Sequence, residues 1–279
     1  MNGQQNRPAW SAQFAADALR ELESIGPLSG IDRDWAWGGS GGEGIRVAVV
    51  DSGIESDHPG VKGAIELEIV IEYDPESEDK IRILPNDNPQ DYTGHGTACA
   101  GIIHRIAPKT KIYSVRVLGK DLTAKAMQFA AGIRWAIEHE MHVVNLSLST
   151  SRAQYYGLFH KLTDDAYFKN VILVSAVNNY PVPSYPSLYS SVISVAANDS
   201  TDPFTFYYNP SPPVEFGAPG IDIEVPWLNK STCVTTGNSF ASPHMTGIIA
   251  LILAKHPQLT PFQVKTILYA TASNTRAES

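Results

Sequence analysis

The fold is decided by a segment near the start of the chain, residues 45–53, which reads IRVAVVDSG. Its first six residues form an almost continuous β-branched run, which is typical of a parallel strand buried on both faces of a sheet. Aspartate, serine and glycine then end the strand. Four later segments predict strands of the same kind: 111–118, 143–148, 171–176 and 192–197.

Segments with helical apolar spacing follow or separate these strands. They cover residues 93–103, 123–140, 155–168, 242–254 and 261–272, and Thr260 and Pro261 predict the N-cap and first residue of the last helix. Strands that alternate with helices predict an α/β fold in three layers, with a mostly parallel central sheet and helices on both faces. The polar stretch 74–91 is expected to be an exposed, mobile loop.

Composition narrows the class of protein. The 279 residues are 43% hydrophobic and 18% charged, as in an ordinary folded domain with a sizeable core. The net charge of −8 argues against a nucleic-acid partner, and no apolar run has the length of a membrane span. No secretory signal is visible, so we expect a cytoplasmic protein, or a secreted one if a leader precedes residue 1. Two cysteines predict buried thiols rather than a disulfide framework.

The N-terminal part of the chain differs from the rest. Residues 11–25 have helical apolar spacing, and residues 38–42 read GGSGG. We therefore predict an N-terminal helical extension with a glycine-rich joint over residues 1–43, followed by one main domain over residues 44–279.

Three polar residues stand where strands end and helices begin. Asp51 closes the first strand, His95 lies in GHGT (residues 94–97), and Ser239 lies in TGNSFASPHM (residues 236–245). Taken singly, each has a plain explanation: a turn aspartate, a buried or capping histidine, and an N-cap serine. Together they supply an orienting carboxylate, a base and a nucleophile at one edge of a parallel sheet.

These motifs resemble those of the subtilisin-like serine proteases, the subtilases. The segments VVDSG (49–53), GHGT (94–97) and GNSFASPH (237–244) match the family's three active-site motifs in their order, and the resemblance covers roughly residues 44–275. It implies a serine endopeptidase that hydrolyses peptide bonds through an acyl-enzyme, with peptides or proteins as substrates. Ser239 would be the nucleophile, His95 the general base and Asp51 its orienting carboxylate.

The resemblance also implies an oxyanion hole. One donor would be the backbone N–H of Ser239 at the start of its helix. The other would be an asparagine at a strand end, which aligns with Asn178, and Asn179 is a close competitor.

The family binds its substrate as an added strand between two backbone segments. By position we expect these substrate-binding residues: Ser147, Leu148, Ser149, Leu122, Ala124 and Val177. Four of these, at positions 122, 124, 149 and 177, replace glycines that are usual in the family. The resemblance places Ser149 and Val177 on the two walls of the primary specificity pocket, which takes the residue that supplies the scissile carbonyl, and Leu122 and Ala124 on the other rim of the cleft. Their side chains narrow the cleft, which predicts restricted, processing-type specificity. The alternative is a catalytically silent member of the fold that binds peptides.

Some positions depart from the family's pattern in other ways. Asn238 and Phe240 replace its usual threonine and methionine beside the nucleophile. Gly60 stands where many members carry a calcium-binding aspartate, and residues 99–107 leave no room for the calcium loop. We therefore expect no cofactor and no tight structural calcium. Cys99 lies one helical turn after His95 and hence near the site, and we expect it to have a hydrophobic packing role, with inhibition through its thiol as the alternative.

Overall fold

The computed structural model describes residues 30–86 and 90–275, and it divides the chain into two compact units, Met1–Ile31 and Asp32–Ser279. All elements named below belong to the second unit. The predicted helix at residues 11–25 lies outside the described residues. The domain boundary after residue 43 stays a prediction.

Within the described residues, nine strands form one sheet that is the middle layer of the unit. They are β1 (Arg46–Asp51), β2 (Ile65–Tyr73), β3 (Ile81–Pro85), β4 (Lys111–Arg116), β5 (Val143–Leu146), β6 (Ile172–Ala176), β7 (Ile193–Asn198), β8 (Tyr207–Tyr208) and β9 (Phe216–Pro219). Their spatial order is β3-β2-β4-β1-β5-β6-β7-β9-β8. Neighbours are parallel except for the outermost pairs, β2–β3 and β8–β9. The mostly parallel sheet is therefore confirmed.

Helices cover both faces of this sheet. They are α1 (Arg33–Trp37), α2 (His95–Ile106), α3 (Ala126–Glu138), α4 (Tyr156–Phe168), α5 (Asn238–Lys255) and α6 (Pro261–Thr271). Helices α2 and α5 pack on each other, with α5 against β5, β6, β7 and β9, while α3 and α4 form a second pair that packs on β1, β2, β3 and β6. The three-layer prediction is confirmed. Within the described residues, no helix has both the length and the apolar character that crossing a bilayer requires.

The direction of the strands brings the predicted catalytic segments together. Strand β1 ends at Asp51, β5 ends at Leu146 and β6 ends at Ala176. Because these strands are parallel, their carboxyl ends lie at one edge of the sheet, where α/β folds place their functional groups. Strand β1 is deeply buried, as its β-branched run predicts.

Three antiparallel pairs were not predicted: β2–β3, β8–β9 and a hairpin outside the main sheet. The loop predicted at residues 74–91 was wrong for residues 81–85, which form β3 and pair antiparallel with β2. The segments Ile223–Trp227 (β10) and Ser231–Thr235 (β11) form a separate hairpin. Both β3 and β11 are five residues long and largely solvent-exposed; β11 lacks a continuous apolar run, and β3 lies between two polar segments that favoured a loop.

The segment before the first strand is fixed to the C-terminal helices. The ring of Trp35 stacks on His256 with the centroids 4.2 Å apart. The Lys255 Nζ donates to the carbonyl of Gly38 at 3.0 Å. Helix α1 thereby packs against α5 and α6.

Candidate active site

The pair Asp51–His95 is the centre of the site. Asp51 is 1% exposed and its Oδ1 lies 2.7 Å from Nδ1 of His95. The same oxygen accepts the backbone N–H of Ser52 at 2.7 Å. Because Asp51 binds Nδ1, the other ring nitrogen, Nε2, is the one that can take a proton from a nucleophile. The imidazole is 12% exposed. This geometry holds one tautomer of the ring, as a general base requires.

The electrostatics of the pair favour a basic imidazole. Burial works to lower the pKa of His95, but the charge of Asp51 and its hydrogen bond act in the opposite direction, and the charge of Asp91 adds to them. The net result is a raised pKa for His95. A raised pKa makes the ring a stronger proton acceptor.

Glycines on both sides of His95 are required by sterics. Gly94 is the N-cap of α2 with φ of 86°, a left-handed conformation that side chains rarely adopt. A Cβ on Gly96 would overlap the carbonyl oxygen of Gly53, so the histidine turn could not approach the end of β1. The GHGT motif thus sets the distance between His95 and Asp51.

Ser239 lies in the first turn of α5, whose N-cap is Gly237. Pro243 follows four residues later and has no N–H, so the carbonyl of Ser239 lacks its helical donor. The hydroxyl of Ser147 replaces it at 2.7 Å. The nucleophile's backbone is thereby fastened to the end of β5.

A buried polar network continues beneath this contact. The Ser147 hydroxyl also accepts the Nδ2 hydrogen of Asn145 at 3.0 Å and lies 3.0 Å from the hydroxyl of Ser242. Thr246 donates to the Oδ1 of Asn145 at 3.1 Å. All four residues are buried, and buried polar groups of this kind hold a unique geometry only when they are satisfied. Sequence reasoning assigned Ser147 to substrate binding and did not foresee this network.

The two candidates for the oxyanion hole lie directly after β6. Asn178 accepts the backbone N–H of Tyr180 through its Oδ1 at 2.9 Å. Asn179 accepts the backbone N–H of Asn238 through its Oδ1 at 3.0 Å, so its side chain lies beside the residue that precedes Ser239. The Asn179 side chain thus contacts the nucleophile turn, whereas the Asn178 side chain bonds within its own loop, and the choice of Asn178 stays a prediction.

Comparison with known proteins agrees with this arrangement. Residues 42–279 match the family model described as the subtilase family, Peptidase_S8. The chain belongs to the subtilase family.

Curated relatives of this subtilase are named as proteases. It is 31% identical over 244 residues to the thermostable alkaline protease of Halalkalibacterium halodurans, covering 83% of this chain and 63% of the relative. It is 33% identical over 252 residues to the minor extracellular protease Epr of Bacillus subtilis, covering 85% of this chain and 36% of the relative. The chain therefore spans less than two thirds of these relatives' length.

Solved structures share the fold. The structure named S41 psychrophilic protease superposes with a TM-score of 0.69 at 26% identity, over 82% of this chain and 83% of that one. Sphericase gives the same TM-score at 24% identity, over 82% and 83% of the two chains.

Asn238 departs from the family pattern, and its contacts in this subtilase explain what it does. Its Oδ1 accepts the backbone N–H of Ala197 at 2.8 Å. Its Nδ2 donates to the carbonyls of Val177 at 3.3 Å and Asn178 at 3.2 Å. One side chain thus ties the nucleophile turn to the ends of β6 and β7, including the segment that carries the oxyanion candidates.

Phe240, the second departure, packs against the catalytic histidine. Its ring centroid lies 5.3 Å from that of His95, and its side chain is buried. The phenyl ring lies against the imidazole, where it excludes water and limits rotation of the imidazole ring. Because Phe240 directly follows Ser239, this contact also brings the nucleophile turn to the histidine.

Asp91 is a residue that sequence reasoning missed. It is 8% exposed, and its carboxylate accepts the hydroxyl of Ser52 at 2.8 Å and both the N–H and the hydroxyl of Thr97, at 2.9 and 2.8 Å. The Ser52 hydroxyl in turn accepts the N–H of Gly96 at 3.1 Å. An acidic residue just before a helix start was the available signal, because first-turn N–H groups need acceptors.

Cys99 is buried near the site, in the packing role predicted for it, and it contacts the carbonyl of the nucleophile. Its buried thiol donates to the hydroxyl of Ser147 at 3.3 Å and lies 3.6 Å from the carbonyl of Ser239. Burial, with the nearby charge of Asp51, raises its pKa well above the ordinary value. The thiol therefore stays protonated and acts as a weak hydrogen-bond donor.

Among the described residues, one group of three side chains has metal-binding atoms within 4.8 Å of one another: Asp51, His95 and Cys99. These are the relay itself and the thiol below it. A cation there would take the carboxylate that orients His95. The expectation of no tight calcium stays a prediction.

The expected substrate-binding residues divide into two groups. Leu122, Ala124, Leu148 and Ser149 line one open cleft of about 950 Å³. Ser147 lies below this cleft in the buried network, and Val177 lies at the end of β6 beside Asn238. The two backbone segments predicted to hold a peptide thus face one common cleft.

Proposed function

We propose that this chain is a serine endopeptidase that hydrolyses peptide bonds through an acyl-enzyme intermediate. The observation that carries the proposal is the 2.7 Å hydrogen bond between the buried carboxylate of Asp51 and Nδ1 of His95, beside the helix start that presents Ser239. A carboxylate, a base and a hydroxyl in this arrangement suit acyl transfer.

In the first half of the reaction, the hydroxyl oxygen of Ser239 attacks the scissile carbonyl carbon while His95 takes the hydroxyl proton on Nε2. The oxyanion is stabilised by the N–H of Ser239 and by an asparagine amide from the segment after β6. His95 then gives the proton to the leaving amine, and the acyl group stays on Ser239.

In the second half, a water molecule attacks the ester carbonyl and His95 takes its proton. The carboxylic acid leaves, and the proton returns to the oxygen of Ser239. Throughout, Asp51 keeps the imidazole in one tautomer and stabilises its charged form. The raised pKa of His95 suits the first proton transfer.

We further propose that substrate choice is restricted. Leu122, Ala124 and Ser149 carry side chains along the cleft, at positions where the resemblance to the family leads us to expect glycine. Added side chains exclude bulky residues that an open cleft accepts. A peptide library should give a narrow cleavage profile, and digestion of casein at many unrelated sequences, including after large aromatics, would contradict this.

A fluorophosphonate probe tests the catalytic proposal. Wild-type protein should become labelled, and the variant Ser239→Ala should not, because the probe bonds covalently to an activated serine oxygen. The variant Ser211→Ala, at an exposed serine, serves as the matched control. Absence of labelling in the wild type at every pH tested would favour the alternative, a silent peptide-binding member of the fold.

A further inference from the structure

The cleft beside the nucleophile has an unusual charge. Three cationic side chains line it, Lys80, Lys125 and Arg152, and its lining contains no carboxylate. The whole chain carries a formal net charge of −8. A cationic cleft on an acidic protein is a local feature, because the average surface has the opposite sign.

None of these three cations lies within ion-pair distance of a carboxylate among the residues that the structure describes. Lys125 instead places its Nζ 3.1 Å from the ring centroid of Tyr73, which fixes the ammonium without neutralising it. The positive charges therefore remain available to an incoming group.

Acidic residues do occur close by, on the turn after β2 and beside the cleft rim. Asp74 faces Arg82 at 3.9 Å, Asp79 accepts from the hydroxyl of Ser77, and Asp121 accepts from Thr123. None of them lines the cleft. They weaken the cleft's potential at long range but do not occupy it.

The position of the cleft identifies which part of a substrate would meet these cations. Ser147 contacts the nucleophile's carbonyl, and the next residues, Leu148 and Ser149, already line the cleft. An extended peptide added along this segment advances about 3.3 Å per residue. Residues a few positions from the scissile bond would therefore lie among Lys80, Lys125 and Arg152.

We propose that this cleft binds an acidic side chain of the substrate, so that the enzyme prefers peptides with Asp or Glu within five residues on the acyl side of the scissile bond. The side follows from Ser149, which the family resemblance assigns to the pocket for the residue that supplies the scissile carbonyl. The inference rests on the proposed endopeptidase function and names its substrate class.

Paired fluorogenic peptides test it. Each pair has the same cleavable sequence and differs only in Glu or Gln at one position from two to five residues before the scissile bond. Glu should raise kcat/KM by about tenfold at one or two of these positions, since charge-assisted hydrogen bonds are the strong ones. The advantage should shrink in about 1 M salt, where the screening length falls to about 3 Å.

Variants show which side chains cause the preference for Glu. The double variant Lys125→Gln with Arg152→Gln should bring the Glu/Gln ratio close to one, and Arg152→Glu should favour a Lys-containing peptide. The control is Lys62→Gln, which removes an exposed charge just before β2, at the opposite end of that strand from Tyr73. Melting temperatures check that each variant folds, and the ratio within each enzyme corrects for differences in overall activity.

The outcomes separate the two proposals. Hydrolysis at equal rates for Glu and Gln peptides, or a ratio that the double variant leaves unchanged, would overturn the acidic preference and leave the endopeptidase function intact. If the wild type hydrolysed no peptide at all, both would fail. A ratio lost in the double variant and kept in Lys62→Gln supports the cationic cleft as its origin.

Discussion

The relay and the cleft lie next to each other and are built in opposite ways. Asp51 is 1% exposed and bonded on one oxygen by two donors, and the serine beside it joins a second buried carboxylate, Asp91. Leu122, on the cleft rim, is 46% exposed. The relay is a buried group of hydrogen-bonded side chains, whereas the cleft is an open surface whose cations form no ion pair among the described residues.

The difference shows which properties a fold fixes and which it leaves adjustable. A change in the relay removes a partner from a buried group, and this costs both geometry and free energy. A change in the cleft exchanges one solvated side chain for another and alters only what binds. We therefore expect effects to decrease steadily from the relay outwards.

The largest effect should come from Asp51→Asn. An amide can present an N–H to the imidazole and hold the wrong tautomer, so kcat should fall by about 10⁴-fold. The variant also removes the main charge that raises the pKa of His95, while burial still works to lower it. Steady-state kinetics from pH 4 to 10 measure both effects, with Asp165→Asn, in a surface ion pair with Lys161, as control.

The sign of the pH dependence follows from the direction of the shift. Neutral His95 is the active base, so wild-type activity should rise with pH through a pKa above the ordinary histidine value of 6.5. In Asp51→Asn the remaining activity should rise at a lower pH. The protonated ring also stabilises the fold fully below pH 6.5, and this stabilisation is lost as pH rises through the raised pKa. An acid limb that did not move would contradict the assignment of Asp51.

The next effect concerns the oxyanion hole. We expect Asn178→Ala to lower kcat by about 10²–10³-fold with little change in KM, because the lost donor acts on charge that develops in the transition state. Asn179→Ala removes the acceptor of the Asn238 N–H and should instead lower stability. Steady-state kinetics and melting temperatures of both variants show which asparagine donates to the oxyanion. A large loss of kcat in Asn179→Ala and a loss of stability in Asn178→Ala would assign that role to Asn179.

The sequence predicts the buried middle of the fold better than its margins. Strands such as β1 and β5 are buried on both faces, so most of their side chains must be apolar, and the sequence shows this as a nearly continuous apolar run. Strand β3 pairs on one side only and is largely exposed, and its five residues lie between two polar segments, so it was mistaken for a loop. Pairing at an exposed edge leaves a weak signal in a single sequence.

The same distinction applies to the site. Asp51, His95 and Ser239 stand in motifs that sequence spacing is enough to find, and close backbone contacts require Gly53 and Gly96 in the first two. Ser147 bonds to Asn145 on β5 and to Ser242 on α5. Because these two elements are far apart in the chain, no local sequence pattern predicts the network. Pro243 was the one available sign, since it deprives the Ser239 carbonyl of its helical donor.

Ser147→Ala tests the network below the nucleophile. It removes the acceptor of the Asn145 amide and the closest donor to the Ser239 carbonyl, so we expect a loss of about 1–3 kcal/mol in the free energy of unfolding. Denaturant unfolding measures this in a Ser239→Ala background, where self-digestion cannot interfere. The exposed Ser211→Ala should change stability by less than about 0.5 kcal/mol. Equal stability of the two variants would show that the network contributes no net stability.

We expect Leu122→Gly to cause the smallest change in stability and in overall rate, together with a distinct change in specificity. Leu122 has φ of 55°, a left-handed conformation that costs a side chain energy and suits glycine, so the melting temperature should stay within a few degrees. Removing its side chain widens the cleft rim, and the variant should cleave more members of a peptide library than the wild type does. Ala124→Gly offers a matched control at the same rim, where only a methyl group is lost. An unchanged profile in Leu122→Gly would mean that the side chains along this rim do not restrict the substrate.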